Sequence, residues 1–259
     1  MTSGSNLSPS QAAEEMLEYL KSHAEKTRAA KYQRYFKEPV DYLGVDKEVM
    51  MEVKQKLDDR VDGAWTIEEA VQFCDLMVRD PHMETRGLGF LVVAAYVSEA
   101  PPTLLSDIKR WFEGACGNWG LVDSTLAPSI LAPLLDMHPE LIPEVVSWTE
   151  SPSQWVRRGA TVAFVPLVKQ KKHVKTAYEI ASCLFEEKED LVQKAVGWLL
   201  RETGKSDMER LKTFLLKHGP KIPRTTLRYA IERFPKDERK ELLEATKGQR
   251  GKTGKASGK

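Results

Sequence analysis

An internal repeat of 36 residues constrains the fold of this chain more than any other feature of its sequence. Windows that begin at Met83, Trp119, Trp155 and Leu191 follow one another at intervals of 36 residues. Apolar residues recur at helical spacing along almost the whole chain, and no segment shows the alternation of a strand or the turn of a hairpin. Helix pairs that recur at this period are typical of α-solenoids, because each pair buries its apolar face against the next pair.

The first residues of the repeat windows indicate the class of solenoid. The segments VRRGA at 156–160 and VQKAV at 192–196 are HEAT-like, and the tetratricopeptide pattern is absent. We therefore predict an all-α fold, an α-solenoid superhelix of HEAT-like helix pairs over residues 11–246. Residues 1–10 and 247–259 are predicted to be disordered.

Charge is nearly balanced over the 259 residues, at +1, so no global basic field is present. The last 13 residues nonetheless carry five Lys and Arg and no acid, which leaves the remainder at about −4. A tail of Gly, Ser and Lys cannot bury apolar surface. It fits either loose contact with a polyanion or a purely solubilising segment.

Several expectations concern what the chain lacks. The cysteines Cys74, Cys116 and Cys183 lie far apart, so we predict buried free thiols in a reducing compartment. The N-terminus has no apolar signal-peptide core, and no run approaches the ~18 apolar residues of a membrane span. We therefore expect a soluble, intracellular protein. Scattered histidines and the absence of a Gly-rich phosphate loop predict no metal and no cofactor.

One window departs from the repeat at its fifth position. The other windows place Gly87, Gly159 and Ala195 there, whereas the Trp119 window places Asp123. A carboxylate is costly to bury unless it is paired, so its presence at a position of small residues requires a reason. The alternative is a structural role for Asp123 as a helix cap or an ion-pair partner.

Basic residues recur on a second face of the repeat. Arg158 lies about 200° from the core residue Val156 on a helical wheel, and the matching positions hold Arg86 and Lys194. Stacked helices would display these cations in a row, and a concave row of cations suits a phosphate backbone. An ordinary solvated face explains the same pattern.

Four of these residues are predicted to converge. Trp119 and Asp123 are four residues apart and share one side of a helix, and Trp198 falls near the Arg158 position of its own window. Two aromatic planes, a carboxylate and an arginine would form a pocket suited to a cationic or sugar-phosphate ligand.

With these residues in place, the chain resembles the AlkD-like DNA alkylation-repair glycosylases, which are built of HEAT-like repeats. The resemblance covers roughly residues 12–245. It is carried by the segments Arg34-Tyr35, Tyr42-Leu43-Gly44-Val45, Trp119-x-x-x-Asp123-Ser124, His138-Pro139-Glu140-Leu141-Ile142, Trp155-Val156-Arg157-Arg158 and Gln193 to Glu202. The pattern departs from the family beside Trp119, where Asn118 and Gly120 replace a tryptophan and an acid.

The resemblance implies excision of cationic N3- and N7-alkylated purines from duplex DNA, with the lesion kept in the base stack. By that resemblance Asp123, Trp119 and Trp198 would be catalytic, Arg158 would hold the phosphate backbone, and Tyr35 would contact the lesion region. Lys194 and Arg86 would add DNA contacts. The protein would then act as a monomer wherever the cell keeps its DNA, in a cytoplasm with its nucleoid or in a nucleus.

Two other functions fit the same sequence. A HEAT-like module without activity would bind distorted or branched DNA and release no base. A protein-interaction solenoid would show no salt-dependent affinity for DNA, and it would leave Asp123 unexplained.

Overall fold

The computed structural model describes residues 7–61 and 63–247, and the chain divides into two compact units, Met1–Pro166 and Leu167–Lys259. All regular structure in the described ranges is helical, which confirms the predicted all-α class. Within those ranges, none of the helices combines the length and the apolar composition that a membrane crossing needs.

The first unit is a succession of short helices around an aromatic and aliphatic core that includes Phe73, Phe90, Trp111 and Phe112. Its α-helices are α1 (Pro9–Ser22), α2 (Lys26–Gln33), α3 (Lys47–Val61), α4 (Ile67–Met77), α5 (Met83–Tyr96), α6 (Leu104–Gly114), α7 (Trp119–Leu121), α8 (Ala132–Met137), α9 (Ile142–Ser147) and α10 (Gln154–Val162). Helix α11 (Phe164–Lys169) contains the boundary between the units.

Short polar side chains begin several of these helices. The side chains of Ser8 and Thr66 each accept a hydrogen bond from the backbone N–H three residues later. The side chains of Gln11 and Glu69 in turn accept from the backbone N–H of Ser8 and Thr66, which makes two complete capping boxes. The second box was predicted by the Thr-x-x-Glu pattern. Because α1 begins at Pro9 and Leu7 is buried, the helical part starts before the predicted boundary at residue 11.

A π-helical segment, Val122–Leu131, joins α7 to α8 in one continuous helix. The N–H of Ala132 bonds the carbonyl of Ala127, an i→i−5 pairing, and the segment contains Pro128, which has no N–H to donate. The wider turn of a π-helix changes the angular step between residues from that of an α-helix. This segment carries Asp123 near its start, and α5 and α10 both pack against it.

The loop between α2 and α3 is held by a buried carboxylate. Glu84, at the start of α5, accepts hydrogen bonds from the N–H groups of Leu43 (3.0 Å) and Gly44 (2.8 Å). On the other side, Arg28 donates to the carbonyl of Gly44 at 2.8 Å, and the N–H of Glu25 donates to the carbonyl of Leu43 at 2.9 Å. The loop is therefore fixed between α2 and α5 by charge-assisted bonds.

The second unit consists of α12 (Val174–Cys183), α13 (Asp190–Gly204), α14 (Met208–His218), α15 (Arg224–Ala230) and α16 (Lys236–Ala245). Helices α13 and α15 cross closely at Gly197, where a Cβ would lie 2.4 Å from the Cβ of Tyr229. Cys74 and Cys116 are buried free thiols, as predicted, but Cys183 is exposed because it lies at the last residue of α12. The predicted disorder of residues 1–6 and 248–259 lies outside the described residues.

Gly44 is the position at which the loop between α2 and α3 tolerates no side chain. Its φ is +81°, and a Cβ there would lie 2.1 Å from the carbonyl oxygen of Glu25 and 2.6 Å from the amide nitrogen of Ala29. We expect Gly44→Ala to lower the free energy of unfolding by about 3 kcal/mol or more, because backbone strain and overpacking add. Gly63 has a similar φ of +69° but open space around it, so Gly63→Ala should cost only about 1–2 kcal/mol. Chemical denaturation followed by circular dichroism measures both, and equal effects would contradict the role of crowding.

Candidate functional site

A cleft of about 450 Å³ opens on the surface of the first unit where α2, α5 and α7 approach one another. We call it the aromatic cleft, and its lining residues are Tyr32, Tyr35, Phe36, Tyr42, Met83, Trp119, Gly120, Asp123 and Ser124. Two of the predicted site residues, Trp119 and Asp123, therefore lie together in it, with Tyr35 at its edge. Asp123 is the one acid among aromatic and apolar walls.

The carboxylate of Asp123 is held by Arg158 from the neighbouring helix α10. Nε of Arg158 donates to Oδ1 at 2.9 Å, and Nη2 donates to Oδ2 at 2.6 Å. The side chain of Arg158 is 7% exposed and that of Asp123 is 18% exposed. The predicted row would have shown Arg158 to solvent, whereas the guanidinium is buried in a two-pronged ion pair that also fixes the plane of the carboxylate.

Burial governs the protonation of Asp123. Desolvation raises the pKa of its carboxyl group above the ordinary value, while the hydrogen bonds and the positive charge of Arg158 act in the opposite direction. Neutralising Asp123 is therefore easier in the folded protein than in an exposed aspartate. The pair explains why an acid stands where the other windows keep a small residue.

The walls of the cleft are stacked aromatic rings. Phe36 stacks on Trp119 with ring centroids 4.8 Å apart at 27°, and Tyr42 follows at 6.2 Å from Phe36. Burial beside the Glu84 carboxylate raises the pKa of Tyr42 to about 12, so its hydroxyl stays protonated. Tyr35 is 71% exposed and stands at the rim. Phe36 thus covers one face of Trp119.

The residues on either side of Trp119 have structural reasons to depart from the family pattern. Asn118 is the N-cap of α7, and its side chain accepts a hydrogen bond from the N–H of Leu121 at 3.1 Å. At Gly120 a Cβ would lie 2.5 Å from Cε of Met83 and 3.1 Å from Cζ of Phe36. An acid at position 120 would therefore require the end of the Met83 side chain to move and the Phe36 ring to shift slightly.

The remaining predicted residues are placed differently. Arg86, on α5, donates to the carbonyls of Asp80 (2.9 Å) and Ala115 (3.0 Å), so its guanidinium is engaged by backbone acceptors. Trp198 and Lys194 belong to α13 of the second unit, where both are half-buried and Lys194 pairs with Asp190 at 2.6 Å. The convergence of Trp198 with Trp119 stays a prediction.

Sequence reasoning missed the walls of the aromatic cleft. Tyr32, Phe36 and Met83 were not predicted as site residues, and Tyr42 entered only as part of the segment Tyr42-Leu43-Gly44-Val45. A signal was present, because four aromatic residues fall between positions 32 and 42 in a chain with only seven Tyr and eight Phe. In the described ranges, no three His, Cys, Asp or Glu side chains are grouped as ligands for a metal ion.

Similarity to known proteins is found at the level of a family model and at the level of solved structures. The model of the DNA alkylation repair enzyme family matches residues 16–234. Among solved structures, a predicted DNA alkylation repair enzyme from Enterococcus faecalis superposes with a TM-score of 0.73 at 16% identity, covering 83% of this chain and 98% of that chain. At that identity the likeness shows a shared fold. No curated protein matches this sequence significantly.

The Asp123–Arg158 pair should be a large contributor to stability. We expect Arg158→Met to lower the free energy of unfolding by about 2–4 kcal/mol at neutral pH, because it leaves a buried carboxylate without its counter-charge. The effect should shrink as the pH falls: the pKa of Asp123 rises further without Arg158, the native state then binds a proton more readily than the unfolded state, and protonation removes the buried charge.

The control is the surface pair formed by Arg110 and Asp75, in which Nη1 and Nη2 donate to the two carboxylate oxygens at 2.9 and 3.0 Å. Arg110 also pairs with Asp107 and is 51% exposed. Arg110→Met should cost only about 0–1 kcal/mol. Urea denaturation at several pH values measures both variants. A cost for Arg158→Met no larger than the control's would show that the buried pair is not stabilising.

Proposed function

The chain belongs to the DNA alkylation repair enzyme family, and from this premise we propose that it is a DNA glycosylase. Its reaction is hydrolysis of the N-glycosidic bond of cationic N3- and N7-alkylated purines in duplex DNA, the first step of base excision repair. The observation that carries the proposal is the half-buried carboxylate of Asp123, which is held by the buried Arg158 and lines an aromatic cleft.

The chemistry of the substrate explains why one carboxylate is enough. An alkylated purine already carries a positive charge and leaves as a neutral base, so no general acid is required, in contrast to ordinary glycoside hydrolysis. The barrier is the oxocarbenium-like charge that develops on the deoxyribose. A fixed carboxylate beside that sugar stabilises the charge and orients the attacking water.

Arg158 has two roles in this proposal. In the free protein it holds the Asp123 carboxylate in one plane and offsets its charge. A DNA phosphate is the natural competitor for a guanidinium fork. When a phosphate draws on Arg158, the negative charge of Asp123 is less compensated and becomes more effective towards a cationic sugar.

The tryptophans would add aromatic stabilisation. Trp119 has one face against Phe36, so its edge or its opposite face would meet the sugar, at ~0.5–2 kcal/mol per cation–π contact. Trp198 is proposed for the same role. Tyr35, Lys194 and Arg86 are assigned contacts with DNA around the lesion, and the partner is duplex DNA bound by a monomer.

We expect Asp123→Asn to reduce the release of N7-methylguanine and N3-methyladenine from methylated duplex DNA by at least about 100-fold, because the amide keeps the size and loses the charge. Affinity for undamaged duplex should change by no more than a few-fold. Asp75→Asn is the control, since Asp75 is also held by an arginine fork but lies outside the aromatic cleft. That variant should release both bases as the wild type does.

The outcomes separate the alternatives. A wild-type protein that binds DNA in a salt-dependent manner but releases neither base would be a DNA-binding relative without activity, and one without DNA affinity would be an interaction solenoid. The proposal includes excision with the lesion left in the stack, so the same assay with a bulkier N7 adduct should still give base release. If base release were lost when only the size of the N7 adduct is increased, excision with the lesion left in the stack would be contradicted.

The pH dependence of the rate should reveal Asp123. Only its ionised form stabilises the sugar cation, and burial raises its pKa. The excision rate, corrected for spontaneous depurination, should therefore fall as the pH drops through a value above the ~3.9 of an ordinary aspartate. The single-turnover rate constant, measured across the acid range, tests this. A fall in rate centred at or below the ordinary pKa of an aspartate would count against Asp123 as the group that must be ionised.

A further inference from the structure

Helix α2 separates two depressions in the surface of the first unit. On one side Tyr32, Tyr35 and Phe36 line the aromatic cleft. On the other side is a groove of about 480 Å³, which we call the basic groove, lined by Glu25, Thr27, Arg28, Ala30, Lys31 and Arg34. The same short segment of chain therefore presents aromatic side chains to the cleft and cations to the groove.

The charge of this segment is of one sign. Residues 26–37 contain five Lys and Arg and no acid. Arg28 is engaged by Glu25 at 2.7 Å and by the carbonyl of Gly44 at 2.8 Å. Lys31, Arg34 and Lys37 are exposed, and no acidic side chain among the described residues lies within ion-pair distance of them.

Helix α2 is also unusual in burying nothing: none of its eight residues is buried. Such a helix gains little from packing, and like charges three residues apart destabilise it further. An ordinary solvated helix face mixes charges of both signs, as α3 does by pairing Lys54 with Asp58 and Lys56 with Glu52. A single-sign helix held in place by loop contacts is better explained by a polyanionic ligand.

We propose that the basic groove binds the phosphodiester backbone of one strand of duplex DNA beside the aromatic cleft, with Lys31 and Arg34 of its lining and Lys37, which follows in the chain, as the phosphate contacts. The proposal rests on the proposed function for its choice of ligand. A rise of about 1.5 Å per residue separates Arg28 from Arg34 by about 9 Å along the helix. One strand carries a phosphate about every 3.4 Å of duplex axis, so α2 spans two or three phosphates.

This placement has a consequence for the cleft. Tyr32, Tyr35 and Phe36 alternate along the chain with the phosphate-binding cations, so a strand bound in the basic groove fixes the position of the aromatic wall. Sequence-independent contact with the backbone would then set the distance between the strand and Asp123. The cations of α2 position the DNA, and they take no part in the bond-breaking step.

The test is the salt dependence of binding to an undamaged duplex, which requires no excision. Each phosphate that a protein neutralises contributes about 0.9 to the slope of log K against log salt. The variant Lys31→Gln/Arg34→Gln/Lys37→Gln should therefore show a slope that is shallower than that of the wild type by about 2–3. Between 50 and 200 mM salt, the affinity of the wild type should fall about 16- to 64-fold more than that of the variant.

The control removes the same charges from a neighbouring helix. Lys54→Gln/Lys56→Gln/Arg60→Gln takes two lysines and one arginine from α3, where each is paired with an acid. Its slope should stay within about 0.5 of the wild type. Equal changes in both variants would indicate a general field rather than a groove and would overturn the proposal, as would an unchanged slope in the α2 variant.

The readout also separates this proposal from the glycosylase assignment. If the wild type releases no base but the α2 variant shows the shallower slope, the proposal for the basic groove is supported and the glycosylase proposal is contradicted. If the wild type excises both bases but the slope of the α2 variant is unchanged, the glycosylase proposal is supported and the proposal for the basic groove is contradicted. Circular dichroism and the thermal midpoint should be unaffected in the α2 variant, because the three side chains are exposed.

Discussion

The buried ion pair between Asp123 and Arg158 is the interaction on which the rest of the site depends. An isolated carboxylate at this depth would be neutralised by protonation instead of remaining charged. The guanidinium keeps the charge available, fixes its orientation and joins the π-helical segment to α10. A glycosylase that relies on electrostatic stabilisation needs a charge that is set in place before the substrate arrives, since orientation during the reaction would cost free energy. The stability of the fold and the readiness of the site therefore come from the same pair.

The aromatic cleft depends on a second buried carboxylate. Glu84 accepts the N–H groups of Leu43 and Gly44 and so fixes the loop that carries Tyr42, while Gly44 allows the chain to pass within contact of Glu25. Two acids in one unit thus differ in what they bind. Both carboxylate oxygens of Glu84 accept hydrogen bonds from backbone N–H groups, whereas Asp123 faces the cleft. The difference lies in the partner. Backbone N–H groups cannot leave Glu84, whereas Arg158 is a side chain, and under the proposed function a phosphate draws on it.

The sequence was informative where physical rules are local. Helical periodicity and capping patterns predicted the all-α class and the box at Thr66, and the irregular fifth position predicted that Asp123 was special. The cluster of aromatic residues was visible in the sequence, but its packing against Trp119 was beyond such rules. Phe36 and Trp119 are far apart in the chain, and the loop that follows Phe36 is anchored at Glu84, 40 residues from Gly44. The burial of Arg158 was missed for a related reason. A helical wheel assigns a residue to a face but does not show that the neighbouring helix supplies a carboxylate to that face, and the π-helical segment alters the wheel itself.

Net charge is a poor guide to whether this chain attracts a polyanion. At physiological ionic strength charges more than about 8 Å apart are largely screened, so a balance of +1 over 259 residues says little about the field at any one place. Five cations within residues 26–37 act together because neighbouring members of the group are only two or three residues apart, within one screening length. In the free protein the charge of Arg158 is offset by Asp123, whereas Arg86 keeps its charge while its guanidinium is engaged by two backbone carbonyls. In the proposed function, the segregation of the cations of residues 26–37 from the single acid of the cleft lets one surface attract a phosphate backbone while the adjoining one keeps a negative charge for a cationic sugar.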